Sequence, residues 1–247
     1  MVGYTELYFK FNKNKDVITK NLHDKVNGFI QNIVNKERHD GFSEYSVSQL
    51  QGGYFDGKNI QYPKGAVLVF RTHNNEILNR VLTNCRTYKQ EDLRIHDMPL
   101  IEISQKFITL KEGDELLIQR LALKDKMKDI LITCNDYDNK DEYIDLLTEH
   151  CKSKLKHYVE TSELTEEQVS SILIKPFKSE YWKTSQVSFH QESQSFPTSN
   201  IKITLEGDID AKMILIQNGF GISTGYGCGS VKIGKNTVNN IKNLLNY

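Results

Sequence analysis

Histidine is the side chain whose ordinary pKa, about 6.5, lets it give and take protons near neutral pH. The chain carries seven: His23, His39, His73, His96, His150, His157 and His190, each a candidate general acid or base. A second chemical feature is "NGFGISTGYGCGSVKIGK", Asn218 to Lys235. It holds Gly219, Gly221, Gly225, Gly227 and Gly229, with Ser223 and Thr224 as hydroxyl donors and Lys232 and Lys235 as charges. A bare backbone lets N–H groups approach a phosphate closely. The same composition also suits consecutive tight turns, because glycine is the default turn residue. It lacks the Gly-Lys-Ser/Thr ending of a Walker loop. Its C-terminal flank reads as a strand, whereas a dinucleotide fingerprint opens a helix. A third feature is "IKPFKSEYWK", where Lys175, Lys178 and Lys183 alternate with Phe177, Tyr181 and Trp182. Such interleaving could clamp a nucleic-acid strand by charge and stacking, or be a strand pair with packing aromatics. No Asp/Glu/His cluster has metal-ligand spacing, so neither metal nor cofactor is expected.

The composition bounds these options. Lys+Arg and Asp+Glu both number 32 in 247 residues, so a global basic field is absent and any polyanion must meet a local patch. From Ala211 to Tyr247 the chain has Lys212, Lys232, Lys235 and Lys242 and no acid. Cys85, Cys134, Cys151 and Cys228 are widely spaced, which excludes a zinc knuckle or C-x-x-C redox pair. Reduced thiols, with no signal-peptide core and no long apolar run, point to a cytoplasmic protein without a membrane span.

The elements that must position these groups follow from periodicity. "ELYFKF" alternates as a half-buried strand. Leu22, Val26, Phe29, Ile30, Ile33 and Val34 form one stripe of an amphipathic helix. "EYSVSQLQGG" and "GAVLVFRTH" read as strands, "NEILNRVLTNC" as a helix and "LIEIS" as a strand. The order is β-α-β-β-α-β, the ferredoxin-like unit. In the second half "KFITL" and "KMKDILITC" read as strands, "DEYIDLLTEHCKSKLKHYVE" as a helix, and "SILIKPF", "SQVSF" and "NIKITLEG" as strands. "AKMILIQNG" is a short helix before the glycine loop, and "GSVKIG" a closing strand. The fold class is therefore α+β, two tandem ferredoxin-like (RRM-like) units packed together. The expected units are residues 1–100, with His39, and 101–247, with the glycine-rich loop. The aromatic RNP1 pattern of RNA recognition motifs is visible in neither.

"GFGISTGYGCGSVKI" resembles the C-terminal signature G-x-G-x-x-x-x-x-G-x-G-x-V of the CRISPR repeat-processing endoribonucleases, a branch of the RAMP superfamily. Gly219, Gly221, Gly227, Gly229 and Val231 match, and Gly225 lies outside the signature. "LHDKVNGFIQNIV" resembles the family's first helix, and "HDGFSEYSVSQLQGG" the segment after it. The resemblance covers most of the chain and is least clear across residues 111–170.

The resemblance implies cleavage of precursor CRISPR RNA within the repeat, without a metal. The 2′-hydroxyl attacks the adjacent phosphate, giving a 2′,3′-cyclic phosphate and a 5′-hydroxyl. His39 stands at the family's catalytic position, with Lys36 and Arg38 beside it to hold phosphate or stabilise the transition state. Many members carry a tyrosine where this chain has Gln31, and a lysine after the histidine, where "HDGFSEYS" has none; Lys36, Arg38 or Lys58 could substitute for that lysine. Gln31 can orient a hydroxyl but cannot supply a proton of useful acidity. His23, near the start of the same helix, is the candidate second histidine, where a helix N-terminus would favour phosphate. The RNA-binding set is Gly219, Gly221, Ser223, Thr224, Gly227, Gly229, Lys232, Lys235, Lys175 and Lys178. The implied partner is CRISPR repeat RNA and its precursor, with room for other CRISPR effector subunits and for a homodimer. The alternative reading is a non-catalytic RAMP-type RNA-binding subunit of an interference complex.

Overall fold

The computed structural model describes residues 2–14, 22–35, 43–55, 59–125, 128–189, 194–222, 224 and 227–245. The first unit contains β1 (Val2–Phe11), α1 (Leu22–Val34), β2 (Tyr45–Val47), the hairpin β3 (Tyr54–Phe55) and β4 (Ile60–Gln61), β5 (Ala66–Thr72), α2 (Asn75–Thr87), β6 (Arg94–Ile95) and β7 (Met98–Leu110). Its antiparallel sheet has the order β2-β5-β1-β7-β6. The four main strands thus lie second, third, first, fourth, as the ferredoxin-like unit requires. The second unit contains β8 (Glu115–Leu121), the hairpin β9 (Leu123–Asp125) and β10 (Ile130–Ile132), α3 (Lys140–Glu160), α4 (Glu166–Ser170), β11 (Leu173–Pro176), β12 (Lys183–Phe189), β13 (Gln194–Glu206), α5 (Ile209–Asn218), β14 (Ser230–Ile233) and α6 (Gly234–Leu245). Its sheet, β11-β13-β8-β14, repeats the same order. Here β11 and β12 share one edge of β13 end to end, pairing with its residues 203–206 and 194–200.

Three expectations change. "KFITL" does not open the second unit but continues β7, so the first sheet holds the chain through Leu110, beyond the expected boundary at residue 100. No Gly or Pro interrupts Ser104 to Leu110, and the first turn signal is Lys111-Glu112-Gly113-Asp114. "EYSVSQLQGG" is strand only over Tyr45–Val47, followed by a single bridge from Gln51 to Val67. The central strand β8 and the helix α6 stand where no element was expected.

Each unit has its own apolar core. In the first, Leu7, Phe9 and Phe11 meet Phe29, Ile30 and Ile33 of α1 and Ile77 and Val81 of α2. Phe29 sits edge-on to Phe9 and Phe11, with ring centroids 5.6 and 5.1 Å apart. In the second, Leu116 and Ile118 of β8 and Ile201 and Ile203 of β13 pack under Tyr143, Leu147, Cys151 and Leu155 of α3. Side-chain caps fix the helix starts. Asn74 accepts from the N–H groups of Glu76 and Ile77, and Asp208 from those of Asp210 and Ala211, each cap being worth about 1 kcal/mol.

The opposite face of the first sheet is also covered. Ile241 and Leu245 of α6 pack on Tyr8, Val67 and Val69, and α6 also runs along β14 and β8. This explains why all seven residues of β5 are buried and the strand reads as a continuous apolar run, since only one covered face gives alternation. The face on which an RNA recognition motif stacks bases is therefore closed here. Beneath α6 lies a buried ion pair, Arg71 Nε to Glu6 Oε1 at 2.7 Å, with Tyr4 and Tyr8 hydroxyls donating to the same carboxylate. Among the described residues, no helix is long and apolar enough to cross a membrane.

Candidate nucleic-acid interface

The glycine-rich loop leaves the C-terminus of α5 and returns as β14. Gly219, Gly221, Gly227 and Gly229 all have left-handed backbones, with φ of 75°, 70°, 81° and 63°. At two of them the space also demands glycine. A Cβ on Gly229 would lie 1.7 Å from the Phe220 carbonyl oxygen, and one on Gly221 would lie 2.3 Å from that of Ala122. The loop is pinned there by Phe220 N–H donating to Gly229 O at 2.9 Å and Ile222 N–H donating to Ala122 O at 3.0 Å. The signature glycines thus have an intramolecular reason: a positive φ at all four, and close backbone-to-backbone packing at Gly221 and Gly229.

The loop also grips the first unit. Thr224 Oγ1 donates to Tyr45 O at 3.2 Å, across 179 residues of sequence. Ser46 Oγ donates to Gln217 O at 2.7 Å, and Gln217 Nε2 to Thr72 O at 2.8 Å. Lys154 Nζ donates to the carbonyls of Asn218 and Gly219, both at 2.9 Å. The last carbonyls of α5, orphaned by helix geometry, are satisfied by side chains from α3 and β2. Burial pushes the Lys154 ammonium down to about 8.

The histidines divide. His39 and His190 lie outside the described residues, as do Lys36, Arg38, Lys58 and Ser223. His23 sits in the first turn of α1, where Arg120 Nη1 donates to its Nε2. Burial, and then the Arg120 charge, hold it well below 6.5, at about 4. It is therefore neutral at pH 7, with its Nε2 lone pair engaged. Gln31, on the last turn of α1, points its Nε2 at the Tyr45 hydroxyl, 3.4 Å away. Tyr45 itself is buried and stacks on Phe70. His73, at the end of β5, meets Glu163 at 3.1 Å and lies edge-on to Tyr158. His96 pairs with Asp97 at 2.8 Å, His150 with the Lys124 carbonyl at 2.7 Å, and His157 lies 3.9 Å from Glu160.

Several predicted RNA contacts are engaged within the protein. Lys232 is a residue of β14 rather than of the loop, and its Nζ donates to Gln51 Oε1 at 2.8 Å, bridging the units. Burial and then the nearby Arg71 charge lower its pKa. The Thr224 hydroxyl is buried and spent on Tyr45 O. Lys175 pairs with Glu206 at 2.7 Å. Lys178 is exposed, 5.3 Å above the Phe177 ring, whereas Trp182 is buried in the second core with its indole N–H donating to Lys202 O. Lys235 falls in the first turn of α6.

Sequence reasoning missed Arg120. It occupies a non-glycine left-handed backbone, φ 51°, where the pairing of β8 with β13 shifts register. Its N–H donates to Asn200 Oδ1 at 3.0 Å, and its carbonyl accepts from Gly229 N–H at 3.1 Å. The glycine loop and a β-bulge thus aim this guanidinium at α1 of the other unit. Among the described residues it has no carboxylate partner; burial lowers its pKa. Its signal was weak, since "ELLIQRL" carries a single β-branched residue and no turn residue.

No family model and no curated protein matches the chain. Solved structures do. A structure described as a RAMP protein binding different RNA substrates aligns with a TM-score of 0.68 at 16% identity, covering 94% of this chain and 100% of that one. A CRISPR-associated protein Cas6 aligns at 0.67 and 15% identity, covering 93% and 99%. A Cas6-related protein from Pyrococcus furiosus aligns at 0.63 and 16% identity, covering 95% and 100%. These are proteins of the kind that the glycine-rich and N-terminal segments resemble, and the chain has the Cas6/RAMP fold across nearly its whole length.

Proposed function

We propose that this protein binds CRISPR repeat RNA and cleaves precursor CRISPR RNA by metal-independent attack of the 2′-hydroxyl on the adjacent phosphate. One observation carries this reading: the two segments that resemble the repeat-processing endoribonucleases touch, Thr224 of the glycine loop bonding to Tyr45 of "EYSVSQLQGG". Segments 179 residues apart in sequence have no local reason to meet, so their contact supports one shared site at the unit junction.

In this reading His39 takes or gives a proton at the scissile phosphate, with Lys36 and Arg38 supplying positive charge. Gln31 and the Tyr45 hydroxyl lie at the end of α1 from which the His39 segment departs, where an amide and a phenol in contact can orient polar groups. Arg120 offers a further cation toward the other end of α1, at His23, eight residues and about 12 Å along the helix from Gln31. The exposed Lys178 adds charge at the periphery.

The test is to incubate the protein with its cognate repeat RNA in EDTA. Wild type is expected to produce a 2′,3′-cyclic phosphate and a 5′-hydroxyl, and His39→Ala to slow cleavage by about 10²- to 10⁴-fold. Intact RNA, or equal cutting by the variant, defeats the catalytic reading. Gln31 in place of a family tyrosine favours a second reading, a RAMP-type subunit that holds repeat RNA without cutting it. Tight binding with no turnover would assign that role.

A further inference from the structure

The peptide between Gly219 and Phe220 is where α5 gives way to the glycine loop. A glycine that closes a helix ordinarily takes the αL conformation, ψ near about +47°, and the N–H groups after it turn back onto the last helical carbonyls. Gly219 has φ 75° but ψ 170°, a region open essentially to glycine alone. The two conformers differ by a flip of one peptide plane, about 120° in ψ. In the observed one, Lys154 Nζ of α3 donates to the carbonyls of Asn218 and Gly219, both at 2.9 Å. A trans peptide points its N–H opposite to its carbonyl, and Phe220 N–H donates to Gly229 O at 2.9 Å. From there the bonds continue. Gly229 N–H donates to Arg120 O at 3.1 Å, and the Arg120 side chain reaches His23 of α1. Arg120 N–H is held in turn by Asn200 Oδ1 at 3.0 Å.

We propose that Lys154 is a positioning residue. It holds the peptide after Gly219 in the flipped conformer and thereby, through the neck of the glycine loop, sets the Arg120 guanidinium against α1. Glycine has no Cβ to oppose the flip, so an external contact must choose between the conformers. An ammonium between two carbonyls at a helix C-terminus is such a contact, reinforced by the negative end of the helix dipole. Lys154 keeps its charge at pH 7, because burial lowers its pKa no further than about 8. Turning the plane back to αL would take the Gly219 carbonyl from Lys154 and the Phe220 N–H from Gly229 together. Gly219 and Phe220 are both buried, so each group would be left unpaired away from water. The two conformers are therefore discrete, as transmission across the unit junction requires. The consequence for RNA rests on the function proposed above, in which the loop and Arg120 meet the repeat; the link itself does not.

His23 reports the link without RNA. Its NMR titration midpoint is expected at about 4 in wild type, where burial and the Arg120 charge hold it down and Asp24 opposes them. Lys154→Met should release Arg120 and move that midpoint toward about 6.5. Loss of the Lys154 charge also acts through space, and a cycle with Arg120→Met separates the two effects. On the Arg120→Met background, adding Lys154→Met should move His23 no further. Circular dichroism confirms that each variant is folded. Lys154→Gln, which keeps an amide donor on a shorter stem, should move His23 in the same direction and serves if Lys154→Met does not fold. Affinity for repeat RNA, read by filter binding, should fall about 2- to 30-fold in Lys154→Met. A folded Lys154 variant that leaves His23 at its wild-type midpoint overturns the proposal. So does a shift that persists in full on the Arg120→Met background. Wild type that binds no repeat RNA defeats the proposed function instead, and His23 then decides the link by itself.

Discussion

A histidine whose ring nitrogen accepts from a buried guanidinium is occupied, and His23 shows what that does to its titration. Its pKa in the fold, about 4, lies below the ordinary 6.5. Between these values the unfolded chain binds a proton that the folded chain refuses, so stability falls as pH drops from 6.5 toward 4. His23→Gln keeps an acceptor for Arg120 and removes the titration. Urea midpoints measured across this range should fall less steeply for the variant; parallel profiles would show that His23 is not held as described. The same residue marks a limit of reading a sequence. His23 was legible as a helix N-terminal histidine, but Arg120, 97 residues away, was not. Only the register shift in β8 and the loop's bond to the Arg120 carbonyl bring the two together.

Among the elements, α6 separates what periodicity shows from what it hides. Val238, Ile241, Leu244 and Leu245 have helical spacing, yet Asn236, Asn239, Asn240 and Asn243 are poor helix formers that mask it. Burial against Tyr8, Val67 and Val69 overrides propensity. β8 was missed for the opposite reason: its leucines favour a helix, but the sheet needs a strand between β13 and β14. α1, α2 and α3 were legible because each keeps an unbroken apolar stripe. Ile241→Ala should cost about 2–4 kcal/mol of stability, read from chemical denaturation. A loss near zero would mean that α6 lies on the sheet without packing into it.

The two units share apolar and polar contacts, through α6, Ser46–Gln217, Gln217–Thr72 and Thr224–Tyr45. Such coupling predicts a single unfolding transition. Trp182, the one tryptophan of the chain, lies in the core of the second unit, so its fluorescence reports that unit alone. Phe29→Ala, in the core of the first, should destabilise by about 3–5 kcal/mol and move the Trp182 midpoint by as much as the circular dichroism midpoint. An unmoved Trp182 transition would show two independent domains. The tandem plan itself was visible from the order of elements; the polar junction was not, because its bonds join positions that no local pattern links. One of these long connections bears on biosynthesis. Tyr8 meets Asn240, 232 residues later. A ribosome adding ~5–20 residues per second needs about 10–50 s to make that stretch. During this interval the first core can form, but Tyr8, Val67 and Val69 stay wet until α6 emerges. The nascent chain thus presents an apolar strand face to chaperones and to neighbouring nascent chains, and the late-made helix α6 is what withdraws it.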